Sequence, residues 1–148
     1  MWIWNHICIR LSARCQGIVV SMRRILIVDD DKESRDLLCE VLEANGYLVN
    51  AVGDGVAARE TLAQDGGQRI IIADIRMPKE DGLQLLRNLR QEESQHDIIL
   101  MSSFISCAEE KLARELGAQA LLDKPFRISE LLQVVGELAA KKPIEISS

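Results

Sequence analysis

The residues with which this chain could do chemistry are Asp29 and Asp30, Asp74, Ser102 and Lys124. Each stands at the end of a short apolar run: Ile25–Val28, Arg69–Ala73, Asp97–Met101 and Gln119–Leu122. If those runs are neighbouring strands, their polar ends meet at the carboxyl edge of one sheet, where open α/β sheets hold ligands. Three carboxylates in one crevice repel one another and would retain protons unless a cation intervenes. An all-oxygen set suits a hard cation, and magnesium fits best when a phosphate completes its shell. Lys124 could hold an anionic oxygen, and Ser102 could donate a hydrogen bond to another. The chemistry implied is phosphoryl transfer to a carboxylate, one aspartate attacking in line while cation and lysine neutralise charge. Each feature alone is weak. An Asp-Asp pair after a strand more often caps a helix, and Asp31 is the expected cap; a lysine before a proline is usually a loop residue. The combination on matching strand ends carries the argument.

The elements that must position these groups follow from periodicity. Ile25–Val28 is a continuous branched run, as in a strand buried on both faces. A helix is expected from Lys32 to Ala44, with Leu37, Leu38, Val41 and Leu42 on one face and Asn45-Gly46 as its stop. Tyr47–Val52 reads as a second strand, and a weakly amphipathic helix runs from Asp54-Gly55 to about Gln64. Asp65-Gly66-Gly67 turns the chain into the third strand, and Leu83, Leu85, Leu86 and Leu89 mark a third helix. Ser106 and Glu109 form a capping box opening a helix that Gly117 ends. Leu131, Val134, Val135 and Leu138 fall at i, i+3, i+4 and i+7 of a last helix. Five strands alternating with five helices require a parallel sheet covered on both faces. In the order 2-1-3-4-5, strands 1 and 3 are neighbours, so Asp29, Asp30 and Asp74 converge.

Composition narrows the class. The 148 residues carry 47% apolar and 28% charged side chains with a net charge of −5, ordinary for one soluble domain. That balance offers no basic patch for nucleic acid. Cys8, Cys15, Cys39 and Cys107 form no C-x-x-C pair, so reduced thiols in a cytoplasmic protein are expected rather than zinc or disulfides. No apolar run reaches the length of a membrane span. Polar Asn5, His6, Arg10, Ser12 and Arg14 interrupt any signal-like segment, and Met22-Arg23-Arg24 leads into the first strand, so Met22 is the expected true start. The expected organisation is an N-terminal extension over 1–22, a domain over 23–141 and a short tail over 142–148, with no output domain after Ala140.

The stretches RILIVDDDKESRDLL, IIIADIRMPKEDGLQLLRNLR, IILMSS and GAQALLDKPF closely resemble the receiver domains of bacterial two-component response regulators, over roughly Arg23 to Ala140. The resemblance implies a flavodoxin-like, doubly wound (βα)5 three-layer sandwich. It implies that Asp74 is the phosphoacceptor, taking its phosphoryl group from a sensor histidine kinase or phosphotransfer protein. Asp29 and Asp30 correspond to the acidic pair that binds Mg2+, with Asp74 and the backbone carbonyl of Arg76 as further ligands. Ser102 corresponds to the hydroxyl that turns toward the phosphoryl group, and Lys124 to the lysine that pairs with one of its oxygens. The Lys124-Pro125 bond is expected to be cis. One departure stands out: the fifth-strand position usually held by Tyr or Phe is Leu121. Arg76 and Phe104 occupy the variable positions that tune water access, and their bulk is expected to slow dephosphorylation.

The function so implied is a stand-alone, chemotaxis-regulator-like phosphorylation switch. It would assist its own phosphorylation and dephosphorylation, be no enzyme otherwise, and act by protein contact on an unidentified target, with no nucleic acid or membrane partner. An alternative is a phosphorylation-independent docking module, which Leu121 keeps open. A haloacid-dehalogenase-like phosphatase would need an aspartate where Arg76 stands. A nucleotide binder would need a glycine-rich loop after the first strand, which is missing.

Overall fold

The computed structural model describes residues 24–64 and 68–140. Residues 1–23, with the expected start at Met22, the Asp65-Gly66-Gly67 turn and the tail after Ala140 lie outside the described residues. Among the described residues, five strands alternate with five helices: β1 Arg24–Val28, α1 Lys32–Ala44, β2 Leu48–Val52, α2 Gly55–Gln64, β3 Gln68–Asp74, α3 Gly82–Gln91, β4 Asp97–Ser102, α4 Cys107–Glu115, β5 Ala120–Asp123 and α5 Ile128–Ala140. The strands pair in parallel in the order β2-β1-β3-β4-β5. This is the doubly wound arrangement expected from the alternation.

The sheet is a two-sided core. Ile25, Ile27, Ile70, Ile72, Ile99 and Met101 pack with Leu38 and Leu42 of α1 and Leu131, Val135 and Leu138 of α5. The intervening Leu26, Val28, Ile71, Ala73, Ile98 and Leu100 pack with Leu83, Leu85, Leu86 and Leu89 of α3 and with Ala58 and Ala113 of α2 and α4. Side chains alternate faces along a strand, so a strand buried on both faces must be apolar throughout. Ile25, Leu26, Ile27, Ile71, Ile72, Ile98 and Ile99 are fully buried, each contributing about 2 kcal/mol. The central strands are therefore the rigid reference from which their polar ends are held.

Local signals set most helix ends. Asp31 caps α1 by accepting from the Glu33 backbone N–H, and Gly46 (φ 92°) follows its C-cap, Asn45. Asp81 and Gln84 form a capping box on α3, as Ser106 and Glu109 do on α4. Gly117, at φ 81°, follows α4 as expected. Three expectations need correction. Tyr47 precedes β2 rather than belonging to it, and Asp74 and Ser102 are the last strand residues rather than the first loop residues. Leu37 is 53% exposed. It sits about 100° around the helix from Leu38, so it falls off the stripe that Leu38 and Leu42 bury.

Candidate functional site

Asp29, immediately after β1, is fully buried. Its backbone N–H donates to Val52 O at the end of β2 (3.1 Å), and its carbonyl accepts from Arg35 Nη1 (2.6 Å). Its Oδ1 accepts from the Asp31 N–H at 2.9 Å. The turn into α1 is thus tied from three sides, and Asp30 is left exposed beside it. Asp74 ends β3, next to β1 in the sheet, with Oδ1 accepting from the Arg76 N–H at 2.8 Å. The carboxylates of Asp29, Asp30 and Asp74 each place an oxygen within 4.8 Å of the others. The expected convergence of strands 1 and 3 is what the structure shows.

Lys124 reaches this cluster from the far edge. Its Nζ donates to Asp74 Oδ2 at 2.6 Å and to Asp29 Oδ2 at 3.3 Å. Its backbone N–H donates to Ser102 O at 2.8 Å, and the Lys124-Pro125 bond is cis, as expected. Burial lowers the pKa of the ammonium. The hydrogen bond to Asp74 and the charges of Asp29 and Asp74 outweigh that and hold it above its ordinary value. Lys124 is therefore a fixed cation. One ammonium against three carboxylates still leaves an excess of negative charge on an all-oxygen donor set. That set fits a hard divalent cation such as magnesium.

Ser102 is fully buried at the end of β4. Its hydroxyl donates to Phe104 O at 2.8 Å, so in this state it serves the loop between β4 and α4. The cluster also has a backing. A Cβ on Gly82 would lie 2.6 Å from Asp74 O and 3.1 Å from the Ile75 Cα, so only glycine lets α3 start against the end of β3. Leu121 is half-buried against the core face that holds α2, α3 and α4.

Two features escaped sequence reasoning. Arg76 sends its side chain to α4, where Nη1 lies 2.6 Å from Glu109 Oε1 and Nη2 donates to Glu109 Oε2 at 3.0 Å. Nη2 also reaches Phe104 O at 3.3 Å. The capping-box position of Glu109 was legible, but not its second partner 33 residues away. The other is Glu80, buried in the loop after β3, where it accepts from Asn88 and from Arg59 Nη1 at 3.5 Å. The Gly55 N–H donates to its carbonyl at 3.2 Å, which fastens that loop to the start of α2. Nothing local in the sequence marks it.

An acidic cluster is thus closed by a lysine at the ends of β1, β3 and β5. Residues 25–136 fit the model of the response regulator receiver domain. The chain belongs to that family. The response regulator MprA of Mycobacterium ulcerans is 36% identical over 122 residues, covering 82% of this chain and 52% of that protein. The chain thus spans about half the length of the curated relatives it matches. A response regulator receiver protein from Pseudomonas putida superposes with a TM-score of 0.77 at 29% identity, over 80% of this chain and 99% of that one. The BeF3-activated N-terminal receiver domain of RstA from Klebsiella pneumoniae gives 0.74 at 28% identity, over 80% of this chain and all of that one (100%). The receiver fold is a signalling switch. Among the described residues no helix is long and apolar enough to cross a membrane.

Proposed function

We propose that this receiver domain, taken as residues 23–141, accepts a phosphoryl group on Asp74 in a magnesium-dependent reaction and signals by changed protein contacts. The observation that carries this reading is the position of Asp74. It shares a crevice with two further carboxylates, and one of its oxygens is held by Lys124 at 2.6 Å. Asp29, Asp30, Asp74 and the Arg76 carbonyl would hold Mg2+. When bound, the ion supplies charge neutralisation for the transferring phosphoryl oxygens.

The chain's own residues account for the rest. A carboxylate oxygen of Asp74 forms the new O–P bond while the P–N bond of a phosphohistidine donor breaks, its electron pair leaving on the imidazole nitrogen. Lys124 moves its hydrogen bond from the carboxylate to a phosphoryl oxygen. Ser102 leaves Phe104 O and donates to a second phosphoryl oxygen, which shifts the population of the β4–α4 loop. Reversal by water returns the carboxylate and releases phosphate. No other catalysis is assigned to the chain.

We place this switch in the cytoplasm, facing a histidine kinase or phosphotransfer protein upstream and a protein target downstream, without direct nucleic-acid contact. The net charge of −5 supports that last point. A small acyl phosphate with magnesium, followed by intact mass, tests the reading. One phosphoryl adduct that is lost in Asp74→Asn supports it. No adduct would favour a docking module independent of phosphorylation.

A further inference from the structure

Two donors share the carbonyl of Phe104: the Ser102 hydroxyl at 2.8 Å and Arg76 Nη2 at 3.3 Å. Arg76 leaves the chain two residues after Asp74, and its own N–H already donates to Asp74 Oδ1 at 2.8 Å. Its side chain is 53% exposed, with the guanidinium forked onto Glu109, in the first turn of α4, at 2.6 and 3.0 Å. A long, half-exposed side chain rooted beside Asp74 and held by one carboxylate and one carbonyl can exchange both for a stronger acceptor.

We infer that Arg76 is a second phosphoryl-binding residue held in reserve on Glu109, and that phosphorylation of Asp74 draws it from Glu109 and Phe104 to a phosphoryl oxygen. This rests on the reading of Asp74 as phosphoacceptor. A phosphoryl group brings nearly two negative charges and three acceptor oxygens, which match the guanidinium fork better than one carboxylate does. The exchange takes both donors from Phe104 O at once, because Ser102 turns to the same group. The β4–α4 loop, with Phe104 already 68% exposed, is then released together with its tie to α4. That route from site to surface does not pass through position 121, where this chain has leucine. Glu109 is a competitor in this scheme, and Arg76 shields the acyl phosphate from water.

The two partners should therefore act in opposite directions. Wild type, Arg76→Ala, Glu109→Gln and the double variant are loaded with a small acyl phosphate and magnesium, freed of donor, and followed by intact mass. Glutamine keeps the capping box, and the Arg76 side chain is half-exposed in the loop after β3, so all four proteins should fold. Arg76→Ala should lose its phosphoryl group about threefold faster and Glu109→Gln about threefold slower, the scale of an exposed ion pair. The double variant should match Arg76→Ala, because without the arginine there is nothing to compete for. A merely structural pair would move both single variants the same way. That result, or no change in either, overturns the inference and leaves the phosphoacceptor reading standing. Wild type that takes up no phosphoryl group overturns both.

Discussion

Replacing Lys124 by methionine removes the ammonium while keeping an unbranched stem of similar length. The ammonium faces Asp74 Oδ2 at 2.6 Å and Asp29 Oδ2 at 3.3 Å, with side-chain exposures of 26% for Lys124, 10% for Asp74 and none for Asp29. Breaking a buried pair from one side costs about 3–5 kcal/mol, because the remaining charge keeps its desolvation penalty. A quarter of Lys124 is in water, which places this case at the lower end, about 3 kcal/mol. For a domain of this size that is a fall in Tm of about 10 °C. The pH dependence has a definite sign. The folded pKa of Lys124 is raised above its ordinary 10.5, so its contribution is complete below that value and is lost as pH rises through the folded pKa. Urea or thermal melts of wild type and Lys124→Met, without divalent ions, should differ fully from pH 7 to 9 and converge on the alkaline side of 10.5. Magnesium should stabilise the variant more than wild type, because the carboxylates have lost their only close ammonium among the described residues. A variant as stable as wild type at pH 7 would refute the reasoning that Lys124 neutralises a buried acidic pair.

Other expectations follow from neighbouring contacts. Gly82→Ala forces a methyl to 2.6 Å from Asp74 O; it should cost about 1–3 kcal/mol in denaturant melts and also slow phosphoryl uptake by moving the end of β3. Asp54 accepts from the Ala57 N–H at 2.9 Å, and that bond, chiefly, with Lys79 lending charge, holds its pKa below 3.8. Asp54→Ala should cost about 1 kcal/mol at pH 7. A depressed folded pKa gives stability present above the unfolded value, so the difference should vanish as pH falls well below 3.8. A thiol reagent followed by peptide mapping should modify exposed Cys107 before Cys39, whose thiol burial pushes up in pKa; equal rates would count against the packing of α1.

What could be read before the fold was known follows a physical divide. The sheet was legible because a strand buried on both faces has no freedom to carry polar residues, so the runs ending at Val28, Ala73 and Met101 announce themselves. The convergence of Asp29, Asp30 and Asp74 then follows from strand order alone. Caps were legible for the same local reason: Asp31, Ser106 and Glu109 act on backbone within one turn. Leu37 misled because apolar type does not fix which side of a helix meets the sheet; Leu38 and Leu42 do, and Leu37 lines a groove with Phe126 and Ile128. The Arg76–Glu109 pair and buried Glu80 were invisible, since long side chains choose partners only after distant segments are placed. The space that makes Gly82 obligatory is likewise a property of packing. It lies within a stretch that resembles the family, but the reason for glycine is the carbonyl of Asp74.

The central claim is that one particular carboxylate of three takes the phosphoryl group. Borohydride reduces an aspartyl phosphate to homoserine, and fragment masses of the resulting peptides show where. After loading with a small acyl phosphate and magnesium, homoserine should be found at position 74 alone. Homoserine at 29 or 30, or at none of the three in protein that carries the adduct, would contradict the account.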